Sequence, residues 1–191
     1  MEENLEQQPS DCLKFVLFGP ESTGKTTLAE RLALHFKTAW AAEYMREYLQ
    51  KKWDKERKVC EVEGLLPIAE GQMNNENTQA KKADKLLFCN TDLLELKVYS
   101  EAYYNGYCPP LLLNHALNNW YDLYFLTNID SPWIPDDLRD KPLDREGMFQ
   151  KFQTTLQENK RPFIVLSGDE NERFEIAVNA VNELINKQSE F

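Results

Sequence analysis

The spacing of apolar residues changes repeatedly along this chain, and each change marks the border of a predicted element. Lys14–Phe18 is an apolar-rich run halted by Gly19-Pro20, the pattern of a short buried strand. From Thr26 to Phe36, Leu28, Leu32, Ala33 and Phe36 recur at helical spacing. Thr38–Ala42 predicts a second strand, 43–53 a helix, and 65–83 a polar helix with Pro67 in its first turn. Lys85–Cys89 reads as a third strand, followed by a helical stretch over 93–106, a break at Cys108-Pro109-Pro110 and another short helix. Tyr121–Leu126 is the fourth strand. A helix over Glu146–Glu158, a strand over Phe163–Leu166 and a helix over Glu172–Lys187 complete the series. Strands separated by helices in this way predict an α/β domain whose five strands form a parallel sheet flanked by helices.

Composition narrows this picture. A chain of 191 residues, 42% hydrophobic and 28% charged, suits one globular domain. It is expected to span 13–191, after an acidic, flexible N-terminal tail over 1–12 that has no apolar core and so is not a targeting leader. No apolar run approaches the length of a membrane span. The net charge of −10 argues against partners that need a basic face, both nucleic acid and membrane surfaces. Cys12, Cys60, Cys89 and Cys108 are too scattered for a zinc site or a disulfide framework, which fits a cytoplasmic location. His35 and His115 stand alone, with no catalytic partner at a useful spacing.

Chemistry enters at 19-GPESTGKTT-27. Gly19, Gly24, Lys25 and Thr26 fit G-x-x-x-x-G-K-[ST], the loop that cradles nucleotide phosphates, and it lies where that loop belongs, between a strand and a helix. Glycines let successive N–H groups turn inward, and the helix that follows adds the positive end of its dipole. Glu21, Ser22, Thr23 and Thr27 complete the ATP-binding stretch; Lys25 is expected to reach the β- and γ-phosphates, and the Thr26 hydroxyl to bind Mg²⁺. The fold class is therefore a P-loop NTPase, with ATP and Mg²⁺ as its cofactors.

Ligands of open α/β sheets bind beyond the carboxyl ends of the strands. There the second strand runs into Glu43, Tyr44 and Arg46, the third into 90-NTD-92, and the fourth into 127-TNID-130. Glu43 is either a first-turn helix residue or the acceptor of a substrate hydroxyl proton. Asn90 and Asp92 are two apart, so an extended chain would turn both to one side. Asp92 either holds Mg²⁺, accepts a proton, or caps the helix over 93–106. The proline-rich, charged segment over about 128–145 carries Trp133, Arg139 and Arg145; it is expected to be a mobile lid whose arginines face the phosphate site.

Taken in order, 19-GPESTGKTTLAERLA-33, 43-EYMREY-48, 91-TD-92, 121-YDLYFLTNIDSPWIPDDLR-139 and 144-DR-145 resemble the ribosylnicotinamide kinase domain of bacterial NAD-salvage regulators, over about Lys14 to Ser167. The resemblance implies a nucleoside-kinase-like fold that uses ATP and Mg²⁺ to phosphorylate the 5′-hydroxyl of nicotinamide riboside, giving the mononucleotide. It places Gly19, Gly24, Lys25 and Thr26 on ATP-Mg, Glu43 and Arg46 at the acceptor, Asp92 after the third strand, and Arg139 with Arg145 in the lid. Larger family members also carry a DNA-binding segment and an adenylyltransferase domain; only the kinase step is expected here. The family pattern has aspartate where this chain has Asn90, and asparagine can hydrogen-bond a metal-bound water but cannot act as a base. A kinase for another nucleoside or nucleotide is the nearest alternative, and a nucleotide-dependent regulatory ATPase a more distant one. A guanine-nucleotide switch is disfavoured because 127-TNID-130 lacks the lysine of N-K-x-D.

Overall fold

The structure, a computed structural model, describes residues 5–57, 61–132 and 144–189. Its strands are β1 (Leu13–Phe18), β2 (Trp40–Ala41), β3 (Leu86–Asn90), β4 (Leu123–Thr127) and β5 (Phe163–Leu166). They pair in parallel in the order β2-β3-β1-β4-β5. The intervening helices are α1 (Lys25–Phe36), α2 (Tyr44–Glu56), α3 (Leu65–Ala80), α4 (Leu93–Tyr103), α5 (Pro110–Asn118), α6 (Arg145–Glu158) and α7 (Glu170–Ser189). The expected elements are thus present. β2 is shorter than the predicted run, since this edge strand pairs only through Trp40 and Ala41 with Phe88 and Cys89. No described helix is long and apolar enough to cross a membrane.

Alternation along the three central strands splits the core between the two faces of the sheet. Phe15 and Leu17 of β1, Phe88 of β3 and Phe125 of β4 pack with Leu28, Leu32, Ala177 and Val181 of α1 and α7. Val16, Phe18, Leu87, Tyr124 and Leu126 face the other way, toward α3, α4, α5 and α6. On the first face Phe15 stacks between Phe88 and Phe125, with ring centroids 5.4 and 5.9 Å apart. This ladder ties the central strand to both neighbours just below the point where β1 turns into the phosphate loop.

The N-terminal segment departs from the expectation of a flexible tail. Leu5 is fully buried in the core, Gln7 donates to Glu76 (2.8 Å) and to the Trp120 carbonyl (3.1 Å), and the Gln8 N–H donates to Asn77 (2.9 Å). Glu76, itself fully buried, also receives Lys14 Nζ at 3.0 Å and the Tyr121 hydroxyl at 2.7 Å. A polar segment docks here because a buried carboxylate needs several donors, and Gln7 supplies one of them.

The aromatic ladder yields a direct test. Phe15→Ala should lower stability by about 3–5 kcal/mol, seen as a fall in the urea midpoint, because a fully buried ring leaves a cavity between two others. A change below about 1 kcal/mol would show that the sheet does not depend on the ladder.

Candidate functional site

The phosphate loop leaves β1 at Gly19 and enters α1 at Gly24. Gly19 has φ 136°, and a Cβ there would meet Thr127 Oγ1 at 2.8 Å, so only glycine passes this close to the end of β4. Thr127 in turn fastens the loop: its hydroxyl lies 2.6 Å from that of Thr23 and donates to the Phe18 carbonyl at 3.2 Å. Gly24, at φ 82°, opens α1 without a side-chain cap, and the first turn of α1 contains no acidic residue. Its orphan N–H groups and positive dipole end are therefore left for an anionic ligand. Lys25 is buried and folded back, with Nζ 2.6 Å from the Gly19 carbonyl, 3.0 Å from that of Pro20 and 3.2 Å from Glu95 Oε1.

Two cavities meet at this loop. One, of about 410 Å³, is bounded by Thr23, Gly24, Thr27, Leu28, Arg31, Asp130, Asp169 and Arg173. The other, of about 380 Å³, is bounded by Glu21, Ser22, Lys25, Thr26, Glu43, Met45, Arg46, Leu49 and Tyr99. Each is large enough for a nucleoside-sized ligand. Ser131 and Pro132, at the start of the expected lid, border both.

The predicted acceptor-side residues separate. Glu43 precedes α2 without capping it, so its carboxylate is not consumed by the helix, and it lines the second cavity with Arg46. Tyr44 instead packs on α3: a Cβ at Gly71 would fall 2.0 Å from its ring, and its N–H donates to Gln72 at 2.8 Å. Trp133 and Arg139 lie outside the described residues. Arg145, the first residue of α6, is brought over the loop, donating to the Ser131 carbonyl at 2.8 Å and the Ser22 carbonyl at 3.4 Å. Partial burial lowers its pKa from the usual arginine value.

Asn90 and Asp92 do not share a side as an extended chain would have it. Thr91 has φ 79°, which ends the alternation. Asn90 Nδ2 donates to Thr26 Oγ1 at 2.9 Å, while its Oδ1 is buried without a hydrogen-bond partner. An orphan amide oxygen beside a hydroxyl is a fitting pair of oxygen donors for hydrated Mg²⁺. Asp92 is committed inside the fold, its Oδ1 accepting from the Glu95 N–H at 2.9 Å as the cap of α4 and its Oδ2 from the Tyr124 hydroxyl at 2.8 Å. Of the readings open to Asp92, the geometry displays the helix cap. Burial raises its pKa to about 7 despite these hydrogen bonds.

Several neighbours carry weight that sequence reasoning missed. Glu95 follows Asp92 by three, the spacing of a capping box, which gives no hint that its side chain turns to Lys25 and to the Gly19 N–H (3.2 Å). Burial pushes its pKa up, while the Lys25 ammonium beside it favours the charged carboxylate and pulls it back down. Arg173 donates to the carbonyls of Thr23 (2.7 Å), Gly168 (2.9 Å) and Asn128 (3.0 Å) and pairs with Asp130, bracing the loop from α7. The buried Tyr99 hydroxyl has no hydrogen-bond partner and lines the second cavity; burial raises its pKa well above the usual tyrosine value, so it stays a donor.

A family model described as an AAA domain matches residues 14–173. Two relatives, the trifunctional NAD biosynthesis/regulator proteins NadR of Salmonella typhimurium and Escherichia coli, are each 28% identical over 186 residues, 96% of this chain and 45% of theirs. The chain thus spans about half the length of these relatives. The resemblance to bacterial NAD-salvage regulators is borne out. A solved NadR protein in complex with NR has a TM-score of 0.77 at 22% identity, covering 90% of this chain and 51% of that one. A deoxyadenosine kinase from M. mycoides has a TM-score of 0.65 at 14% identity, covering 90% of this chain and all of that one (100%). These likenesses show a P-loop kinase fold.

The cap assignment is testable. Asn caps about as well as Asp, so Asp92→Asn should fold and keep activity within a few-fold, whereas Asp92→Ala should cost about 1 kcal/mol. The proton bound to Asp92 is held by both folded and unfolded chains below about pH 4, and by the folded chain in excess from there to about pH 7. Its stabilising effect therefore fades as pH rises through that window. The urea midpoint should fall more steeply from pH 5 to 8 in the parent than in Asp92→Asn; equal slopes would show that Asp92 is ionised in the fold.

Proposed function

We propose that this chain, which belongs to the AAA domain family, transfers the γ-phosphoryl group of ATP to the 5′-hydroxyl of nicotinamide riboside. The observation that carries the reading is the pair of cavities meeting at the uncapped start of α1, with Lys25 and Thr26 lining one of them and Glu43 across the same space. A phosphoryl-transfer enzyme needs a donor compartment and an acceptor compartment that share the phosphate; a nucleotide-dependent switch needs one. The resemblance to NadR supports the choice of acceptor, and the solved NadR protein in complex with NR adds to it.

In this reading the N–H groups of the loop and of α1 bind the β- and γ-phosphates together with Lys25. Thr26 and the Asn90 amide oxygen would hold Mg²⁺ through its waters, where it would neutralise charge on the phosphate oxygens. The acceptor lies in the second cavity, between Glu43, Arg46 and Tyr99. Its 5′-oxygen bonds to the γ-phosphorus as the bond to the β–γ bridging oxygen breaks; the hydroxyl proton passes to Glu43, and ADP leaves. Arg145 offsets charge that builds up on the transferring group. Arg139 is assigned the same task, and Trp133 a part in binding the acceptor. Asp92 contributes by fixing α4, which carries Tyr99.

The test is product formation from ATP, Mg²⁺ and nicotinamide riboside, set against a panel of other nucleosides and against ATP turnover with no acceptor. Nicotinamide riboside is expected to give the mononucleotide fastest, with little turnover in its absence. Fast acceptor-free hydrolysis would favour a regulatory ATPase, and a better nucleoside would move the substrate assignment. Lys25→Ala should lower turnover about 10²-fold or more. Glu43→Gln should lower kcat by about 10²-fold or more with a smaller effect on KM, since it removes the proton acceptor. Arg145→Ala should likewise act on kcat more than on KM. Asn90→Asp should preserve or raise activity; an inactive Asn90→Asp enzyme would mean that the amide serves a different acceptor.

A further inference from the structure

Glu95 takes no part in the transfer described above, yet it holds the lysine that the transfer needs and the first N–H of the loop. Its carboxylate is buried, with Oε1 3.2 Å from Lys25 Nζ and Oε2 3.2 Å from the Gly19 N–H. An ammonium has three donors. In Lys25 they meet the Gly19 carbonyl, the Pro20 carbonyl and Glu95, so a phosphate oxygen can reach Lys25 only by displacing one of them. Glu95 is the ionic member of that set. Glu43 ahead of α2 and Asp92 at the start of its own helix are the other acidic groups close enough to act on it.

A carboxylate and a phosphate cannot hold the same ammonium in the same place, and side by side they repel. We propose that Glu95 is a latch on the empty phosphate loop: it retains Lys25 and the Gly19 N–H until a triphosphate draws Lys25 away, and so tunes affinity for the phosphate tail while leaving affinity for the nucleoside part alone. Glu95 is thus a positioning residue that acts through Lys25. The proposal rests on the reading of the loop as an ATP site. It accounts for a carboxylate of this burial standing where an anion must bind, a placement that costs affinity and that a neutral residue would avoid. A purely structural glutamate would have no reason to discriminate between ligands with and without phosphates.

The experiment measures binding of AMP-PNP and of adenosine by calorimetry to the full chain, to Glu95→Gln and to Glu95→Asp. Gln keeps the shape and can still accept from the Gly19 N–H, but removes the charge that holds Lys25. Glu95→Gln is expected to bind AMP-PNP about tenfold tighter, with adenosine affinity unchanged. Glu95→Asp, which withdraws the carboxylate by one methylene, should lie between parent and Gln. Unchanged or weaker AMP-PNP binding by a Glu95→Gln protein that melts like the parent overturns the latch, as does equal tightening for adenosine. If Glu95→Gln does not fold, Glu95→Asp decides by the same criterion. Lys25→Ala separates the two claims: if it binds AMP-PNP as tightly as the parent, the ATP-loop reading itself fails.

Discussion

Backbone N–H groups that are to receive phosphate must be left without partners in the empty protein, and a loop with unpaired donors has little of its own to hold it in shape. The surrounding architecture answers that constraint. β1 is central in the sheet, flanked by β3 and β4, so the loop begins from the most firmly held strand end. Thr127 closes on Gly19 and Thr23 from β4, Arg173 grips the Thr23 carbonyl from α7, and Glu95 takes the Gly19 N–H from α4. Arg173, Thr127 and Lys25 brace the loop through its carbonyls and hydroxyls. The first turn of α1 is left uncapped, and the charge of its dipole remains available.

The fold was open to reading because its signals are local. Strands buried on both faces show as apolar runs, helices as a 3.6-residue rhythm, and Gly24-Lys25-Thr26 has a spelling dictated by the geometry of phosphate. The site was only partly legible, because its roles depend on where side chains turn. Asp92 and Glu43 look equivalent in sequence, a carboxylate at the end of a strand. The φ of Thr91 turns the former into the cap of α4, whereas α2 begins without calling on Glu43. Arg173 lies in an ordinary helical pattern near the end of the chain, and only the packing of α7 beside α1 brings it to the loop. The docking of residues 5–12 was missed for a related reason: a polar segment gives no hydrophobic signal, and the buried Glu76 that attracts it is distant in sequence.

Asn90 and Glu95 make sense together. Where an aspartate would place a negative charge beside Thr26, this chain has a neutral amide that shares a hydrogen bond with the threonine hydroxyl. The charge that pairs with Lys25 comes from the first turn of α4. The electrostatics around Thr26 and around Lys25 are thus divided between two residues on either side of the Thr91 kink, one neutral and one acidic.

The grip of Arg173 on Thr23 spans 150 positions of sequence. A ribosome delivers the phosphate loop well before its brace. Until α7 emerges, β1 can form and the glycines can bend, but the carbonyl that Arg173 will fix has no partner from α7. Nucleotide held by a nascent chain would therefore meet a looser cradle than the finished protein offers. Such a late closing contact makes ligand binding a property of the completed domain, so that a fragment ending short of α7 would carry the whole phosphate-loop motif in its sequence without the rigidity that the motif needs.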